Sequence, residues 1–373
     1  MGLKRKPSGG ELRVLAPLVP RPRWHGSVMI VGIWLFLGVV GLDAQTSPPN
    51  PAPPAATGAA QPVQSPSAAP ATQSEGTTGM PQAQPNDQPT TDDQSGVFVF
   101  KKEVQEVVLH ATVVDDQRHL VTNLDRPAFT VFEDGVRQAT TSFHRDDVPV
   151  AMGIVIDNSG SMREKRNKVN EAVLNLIRAS NPNDEIFVVN FSQDSYLDQD
   201  FTSDINLLRQ ALQKVSAQGS TALYDAIIAS AVHLKNNPRV ERKVLLVITD
   251  GRDNASQETL QEATRKLQQQ NGPTLYAIGL LSDELQQSGT DALQSLAAST
   301  GGVAFFPQSL DEVDGITRTV AHDIRSQYTI GYKSTNPNPN PGYRRIQVRA
   351  QAPGYRNLTV RTRSGYYPGE AIH

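Results

Sequence analysis

The pattern of apolar and polar residues changes twice along the chain. Between residues 97 and 147 apolar side chains alternate with polar ones, as at Val107, Leu109 and Ala111, which is typical of β-strands with one buried face. Asp134-Gly135 separates two such segments and indicates a hairpin turn. The alternation returns after residue 328, in YTIGYK and RRIQVRA. Both ends of the ordered chain therefore predict antiparallel strands.

The middle of the chain has a different pattern of apolar residues. AMGIVID, EIFVVNF, VLLVITD and TLYAIG are short, continuous apolar runs of the kind that parallel strands show when both faces are buried. The segments between them repeat apolar residues every three or four positions, which predicts helices. Strands that alternate with helices predict an α/β fold with a doubly wound, mostly parallel, Rossmann-like sheet and helices on both faces.

These changes divide the sequence into five parts. We assign a leader to residues 1–44, a linker to 45–95, a β unit to 96–147, the α/β domain to 148–326 and C-terminal strands to 327–373. We expect the C-terminal strands to pair with the 96–147 unit, because each would bury the apolar face of the other. The result would be a small antiparallel β domain that flanks the α/β domain and is built from segments before and after it.

The leader has the features of an export signal. Six Lys and Arg residues precede VMIVGIWLFLGVVGL, a run of fifteen residues at 28–42 that carries no charge. A membrane-spanning helix needs about 20 residues, whereas a signal-peptide core is shorter. The sequence leaves open whether the leader is cleaved after Ala44 or stays as an anchor in the inner membrane. Either outcome predicts an exported protein, located in the periplasm, the cell envelope or the extracellular space.

The amino-acid composition indicates a linker and excludes several kinds of partner and site. Residues 45–95 are rich in Pro, Ala, Gln and Ser, contain no Lys, Arg or aromatic residue, and predict a disordered linker. Without the leader, 29 Lys and Arg stand against 36 Asp and Glu, so nucleic acid is not expected as a partner. The absence of cysteine excludes disulfides, thiolate metal sites and cysteine nucleophiles.

Oxygen-bearing side chains cluster in three loops that should lie at the carboxyl ends of the strands, where open α/β sheets bind ligands. The loops read DNSGSM at 157–162, GSTAL at 219–223 and TDGRD at 249–253. Two carboxylates with several hydroxyls are a hard donor set, which favours Mg²⁺ and leaves Mn²⁺ or Ca²⁺ as alternatives. The candidate metal-binding residues are Asp157, Ser159, Ser161, Thr221 and Asp250.

The spacing Asp157-x-Ser159-x-Ser161, followed by Thr221 and Asp250 on later loops, resembles the metal-ion-dependent adhesion site of von Willebrand factor type A domains. The resemblance covers about residues 148–325 and includes the phrases GSTAL and TGGVAF. The segments on either side are similar to those of exported bacterial type A proteins that are abundant in Acidobacteria.

The resemblance implies a division of roles within the site. Ser159, Ser161 and Thr221 would bind the metal directly, while Asp157 and Asp250 would act mainly through water. A Glu or Asp carboxylate from a protein partner would take the remaining coordination position. Asp253, three residues beyond Asp250, is expected to be a helix cap or a solvated loop residue.

The sequence thus predicts an exported, non-enzymatic adhesion or protein-interaction module, with membrane contact only through an N-terminal anchor. One alternative is an architectural envelope module whose metal is structural. Another is a magnesium-dependent phosphohydrolase. Such enzymes generally place a second carboxylate two residues after the nucleophile, where Ser159 stands here, and a lysine on a later loop; none is evident in the sequence beside Thr221 or Asp250.

Overall fold

A computed structural model describes residues 4–5, 106–213, 217–237, 240–280, 282, 285–336 and 342–369. The apolar run at 28–42 and the linker at 45–95 lie outside these residues, so their assignments stay predictions. Among the helices in the described ranges, none is both long enough and apolar enough to cross a membrane.

Strands and helices alternate through the middle of the chain, as the apolar pattern predicts. In chain order the elements are β1 (Lys4–Arg5), β2 (Glu106–Val114), β3 (Phe129–Glu133), β4 (Val136–Gln138), β5 (Thr140–His144), β6 (Val150–Asp157), α1 (Arg166–Ala179), β7 (Glu185–Phe191), β8 (Ser195–Thr202), α2 (Ile205–Gln213), α3 (Leu223–Lys235), β9 (Arg242–Thr249), α4 (Leu260–Leu267), β10 (Thr274–Gly279), α5 (Gln286–Thr300), β11 (Ala304–Phe305), α6 (Val313–Arg325), β12 (Tyr328–Lys333), β13 (Arg344–Ala350), β14 (Thr359–Arg361) and β15 (Gly365–Tyr366).

The central sheet has the strand order β1-β8-β7-β6-β9-β10-β11. Neighbouring strands are parallel except for β7 and β8, which form an antiparallel pair. Helices α1, α2 and α6 pack on one face, and α3, α4 and α5 pack on the other. The predicted doubly wound, mostly parallel α/β fold is therefore confirmed. Strand β8 was not predicted, because SYLDQDFT lacks a continuous apolar run.

Strand β6 shows why the centre of this sheet needs apolar residues at every position. All eight of its residues are buried. Ile154 points into the core under α1, α2 and α6, whereas its neighbour Val155 points into the core under α3, α4 and α5. Successive strand residues face opposite sides of a sheet, so a strand covered on both faces reads as one unbroken apolar run.

The segments before and after the α/β domain pair with each other in two four-stranded antiparallel sheets. One has the order β14-β2-β12-β5 and the other β15-β13-β3-β4. Ile330 pairs with Leu109 in the first sheet, and Val348 pairs with Val131 in the second. These four side chains belong to one buried cluster. The predicted flanking β domain is therefore present, as a sandwich in which each sheet combines early and late strands.

Two buried arginines join this sandwich to the amino ends of the central strands. Arg242, at the start of β9, is 1% exposed. Its guanidinium donates to the carbonyls of Ile324 and Gln327, at 3.2 and 3.4 Å, and to Thr329 Oγ1 at 3.1 Å. Arg363 follows β14 of the sandwich and reaches the α/β domain, where it donates to the main-chain carbonyls of Leu267, Gln269 and Gly272, between the end of α4 and β10.

His110 lies beside these arginines and should make stability depend on pH. Its Nδ1 is 3.3 Å from Thr329 Oγ1. Burial lowers the pKa of His110 from 6.5 to about 3, with further lowering by Arg242 and Arg363. The folded protein thus keeps this imidazole neutral, whereas the unfolded chain takes up a proton as the pH falls below 6.5.

We expect His110 to cost about 2 kcal/mol of unfolding free energy between pH 6.5 and 4.5. Urea unfolding of wild type and of His110→Gln across this range measures the effect, since the glutamine cannot titrate. Between pH 6.5 and 4.5 the unfolding free energy of the variant should fall by about 2 kcal/mol less than that of wild type. Identical pH dependence in the two proteins would show that His110 is not held neutral by the fold.

Candidate functional site

The three oxygen-rich loops meet at the carboxyl ends of β6 and β9. Main-chain hydrogen bonds tie the first loop to the second, from Gly160 N to Gly219 O at 3.3 Å and from Gln218 N to Asn158 O at 2.8 Å. Gly219 has a φ of 89°, in the left-handed region that favours glycine. The third loop joins through Asn254 N, which donates to Thr221 O at 3.0 Å.

The side chains of the predicted site also come together. Ser159 Oγ lies 3.2 Å from Ser161 Oγ, and the Ser161 hydroxyl donates to Asp250 Oδ1 at 2.8 Å. Thr221 faces Gly251, where a Cβ atom would lie 3.2 Å from Thr221 Oγ1. The structure therefore places the Ser161 hydroxyl of the first loop against the carboxylate of the third, and the Thr221 hydroxyl of the second loop near Gly251, the residue that follows Asp250.

Asp157 is fully buried at the end of β6. Its Oδ1 accepts a hydrogen bond from Ser159 N at 2.7 Å, and its Oδ2 accepts one from Thr249 Oγ1 at 2.6 Å. Burial, with a smaller contribution from the charge of Asp250, raises the pKa of Asp157 to about 6 against the opposing effect of its hydrogen bonds. The carboxylate is thus ionised at neutral pH in surroundings that favour a nearby cation.

Asp250 has a second partner that sequence analysis missed. The Lys165 ammonium makes an ion pair with Asp250 Oδ2, so a lysine does stand beside this carboxylate. It lies at the start of α1, 85 positions earlier in the chain, and not on a later loop. The signal was available, since Lys165 and Arg166 are a basic pair at the amino end of α1, where the helix dipole favours acids.

Arg166 is the next residue along and is 5% exposed. Its Nη2 donates to Asn190 Oδ1 at 2.9 Å and to Leu212 O at 3.5 Å. Burial lowers the pKa of Arg166 to about 10, while the charges of Asp157 and Asp198 oppose that change. The buried end of the site therefore contains a cation whose charge is partly offset by the negative charges of Asp157 and Asp198.

The donor geometry fits a small divalent cation. In an octahedral Mg²⁺ site with bonds of 2.0 to 2.1 Å, neighbouring ligand oxygens are about 2.9 Å apart. Ser159 Oγ and Ser161 Oγ are 3.2 Å apart, close to this value, while Asp250 Oδ1 accepts the Ser161 hydroxyl at 2.8 Å as a group outside the coordination sphere would. Within the part of the chain that the structure describes, no group of three His, Cys, Asp or Glu residues could hold a metal, so a site here depends on the hydroxyls.

Asp253 does not join this cluster. Its Oδ2 accepts hydrogen bonds from Tyr224 N at 3.1 Å and from the Ser256 hydroxyl, and its Oδ1 accepts one from Ser256 N. It therefore satisfies a free N–H group in the first turn of α3. Of the two alternatives that the sequence left open, a helix cap or a solvated loop residue, these contacts agree with the first, although Asp253 reaches α3 from another loop and Ala222 holds the N-cap position.

A doubly wound sheet with polar loops at the carboxyl ends of its central strands defines a Rossmann-like binding domain. Residues 152–252 match the von Willebrand factor type A domain family. This part of the chain is therefore a von Willebrand factor type A domain, and it contains all five candidate residues.

Parts of this chain are similar to several solved structures. A von Willebrand factor type A protein from Catenulispora acidiphila is 16% identical, with 73% of this chain and 76% of that chain covered and a TM-score of 0.42. The minor pilin PilB from Streptococcus sanguinis is 14% identical, with coverages of 48% and 62% and a TM-score of 0.41.

The type A domain of the pilus tip protein Mfa5 from Porphyromonas gingivalis is 14% identical, with coverages of 48% and 97% and a TM-score of 0.39. This chain thus spans less than two thirds of PilB but nearly all of the Mfa5 domain. No curated protein sequence matches this chain.

Proposed function

We propose that this protein is an exported, non-enzymatic adhesion or protein-interaction module that binds an acidic residue of a partner protein through Mg²⁺. The observation that carries the proposal is the approach of the Ser159 and Ser161 hydroxyls to 3.2 Å, with Asp250 hydrogen-bonded to Ser161 beside them. These residues come from the first and third loops, which are far apart in sequence, and the second loop contributes Thr221.

In this proposal the hydroxyls of Ser159, Ser161 and Thr221 bind the metal directly. Asp157 and Asp250 balance its charge through water, which agrees with their existing hydrogen bonds to Ser159 N, Thr249 and Ser161. When bound, Mg²⁺ supplies a positive charge and an open coordination position that a carboxylate can fill. The domain itself holds the ligand oxygens in place, because its loops are tied together by main-chain hydrogen bonds.

Calorimetric titration with Mg²⁺ tests the metal site. We expect Ser161→Ala to weaken Mg²⁺ binding by roughly tenfold or more, because one direct oxygen ligand is lost, which corresponds to about 1.4 kcal/mol. Ser203→Ala, at an exposed turn outside the site, is the matched control and should bind as wild type does. Equal affinities of all three proteins would contradict the assignment of Ser161.

Partner binding needs a separate experiment. A panel of synthetic peptides that each carry one Glu is compared with the same panel carrying Gln, in Mg²⁺ and in EDTA. Retention that requires both Mg²⁺ and Glu supports the proposal. The architectural alternative predicts a different result. Mg²⁺ would raise the melting temperature, but peptide retention would be the same in Mg²⁺ and in EDTA.

The phosphohydrolase alternative gains a lysine near Asp250 but faces a problem at Asp157. A phosphoaspartyl mechanism requires this carboxylate to attack phosphorus, yet both of its oxygens accept hydrogen bonds and the side chain is fully buried. Hydrolysis of p-nitrophenyl phosphate that is lost in Asp157→Asn would nevertheless overturn the non-enzymatic proposal.

Export is proposed from the basic leader and the apolar run at 28–42. N-terminal sequencing of the protein recovered from the envelope distinguishes a cleaved leader from a retained anchor. Recovery of the protein with the cytoplasmic fraction would contradict export.

A further inference from the structure

We propose that Lys165 is an internal counter-ion of the candidate metal site: it holds Asp250 when metal is absent, weakens Mg²⁺ binding, and leaves the loaded site with a surplus positive charge that attracts an anionic partner group. This inference deepens the proposed function and rests on it. The metal alone, and acetate as the simplest carboxylate, are sufficient probes.

The two oxygens of Asp250 have different partners. Oδ1 accepts the Ser161 hydroxyl at 2.8 Å, on the side of the cluster with the other ligand oxygens. Oδ2 contacts the Lys165 ammonium. The Asp250 side chain is fully buried, while that of Lys165 is 22% exposed. A buried carboxylate without a partner is costly, so Lys165 stabilises Asp250 in a metal-free protein and can still reach solvent.

A count of charges shows what this pairing does to metal binding. Asp157 and Asp250 provide two negative charges, and Lys165 cancels one of them. Mg²⁺ would then leave the cluster with one surplus positive charge, where a pair of free carboxylates would have left none. Arg166 adds to the positive potential, although the negative charges of Asp157 and Asp198 partly offset its charge.

The surplus charge couples the two ligands of the site. Repulsion from the ammonium lowers the affinity for the bare metal ion, and an incoming carboxylate relieves that repulsion. Metal and carboxylate should therefore bind with positive cooperativity, and each should raise the affinity of the other by the same factor. The protein would release its metal readily when no acidic partner is present.

A role in helix stability does not explain the lysine. Lys165 occupies the N-cap position of α1 and makes no side-chain capping bond there. Positive charge at this end of a helix is unfavourable. The interaction that keeps Lys165 in place is thus the one with Asp250.

Calorimetry on the full chain tests the inference with Lys165→Met and Lys168→Met. Lys168 lies on the same helix and pairs with exposed Asp311 at 2.8 Å, so its variant removes the same charge away from the site. We expect Lys165→Met to bind Mg²⁺ roughly tenfold more tightly than wild type, and Lys168→Met to match wild type. Acetate should raise Mg²⁺ affinity more in wild type than in Lys165→Met.

Lys165→Arg keeps the charge and should retain the weak, acetate-sensitive binding of wild type. Lys165→Gln replaces the methionine variant if the latter does not fold. Equal Mg²⁺ affinity in wild type and a folded, neutral variant would overturn the role of Lys165 while leaving the metal site intact. Absence of Mg²⁺ binding in every protein, including the neutral variants, would overturn the proposed function itself and this inference with it.

Discussion

Replacement of Glu133 by alanine is expected to lower the unfolding free energy by about 3–5 kcal/mol. Glu133 is 1% exposed in the sandwich core. Its carboxylate accepts hydrogen bonds from Tyr332 OH at 2.6 Å, Tyr366 OH at 3.1 Å and Arg344 Nη1 at 3.2 Å, and another from Ser334. Alanine would leave the buried Tyr332 and Tyr366 hydroxyls without this acceptor and open a cavity beside them.

Urea unfolding followed by circular dichroism measures this loss. Glu171→Ala removes an exposed glutamate from α1 and should change stability by less than about 0.5 kcal/mol. Glu133→Gln keeps the volume and part of the hydrogen bonding, so its cost should fall between the two. A loss below 1 kcal/mol in Glu133→Ala would mean that the core repacks without this carboxylate.

Gly302→Ala should be comparably damaging for a steric reason. A Cβ atom at Gly302 would lie 1.9 Å from the main-chain oxygen of Leu275 in β10. Main-chain atoms of a central strand cannot move aside without breaking sheet hydrogen bonds. We expect a loss of about 3 kcal/mol or more, with a fall in melting temperature of several degrees.

Gly315→Ala is the matched control, since a Cβ atom there meets nothing within 4 Å. It lies in α6, where alanine should stabilise the helix by about 1 kcal/mol. Thermal unfolding of the two variants should thus shift in opposite directions. Parallel shifts would show that the close approach of Gly302 to β10 is not what constrains that position.

Most of the fold could be predicted from the sequence, because its strands and helices differ in the spacing of their apolar residues. The unbroken apolar run of β6 and the three-and-four spacing of α1 identify a covered parallel sheet. Strand β8 escaped prediction because it is polar and reaches the sheet by an antiparallel turn from β7, with register shifts along the pair. Propensity alone cannot find a strand that is defined mainly by its partner.

The candidate site was partly readable for a different reason. The spacing from Asp157 to Ser161 is local, so it survives in the sequence, whereas the contact between Lys165 and Asp250 exists only once β6 and β9 are adjacent. Glu133 is an intermediate case. It shares the inward face of β3 with Phe129 and Val131, but its tyrosine partners lie 199 and 233 positions later, so the sequence analysis did not single it out.

The location of the arginine links has a mechanical consequence. Arg242 and Arg363 join the sandwich to the amino ends of the central strands, whereas the candidate site lies at their carboxyl ends. Tension between a partner at the site and the chain that enters at Glu106 would therefore cross the whole molecule. Strand β2 pairs with β12 over residues 106–111 and with β14 over residues 112–114, so extracting it would require both ladders to break.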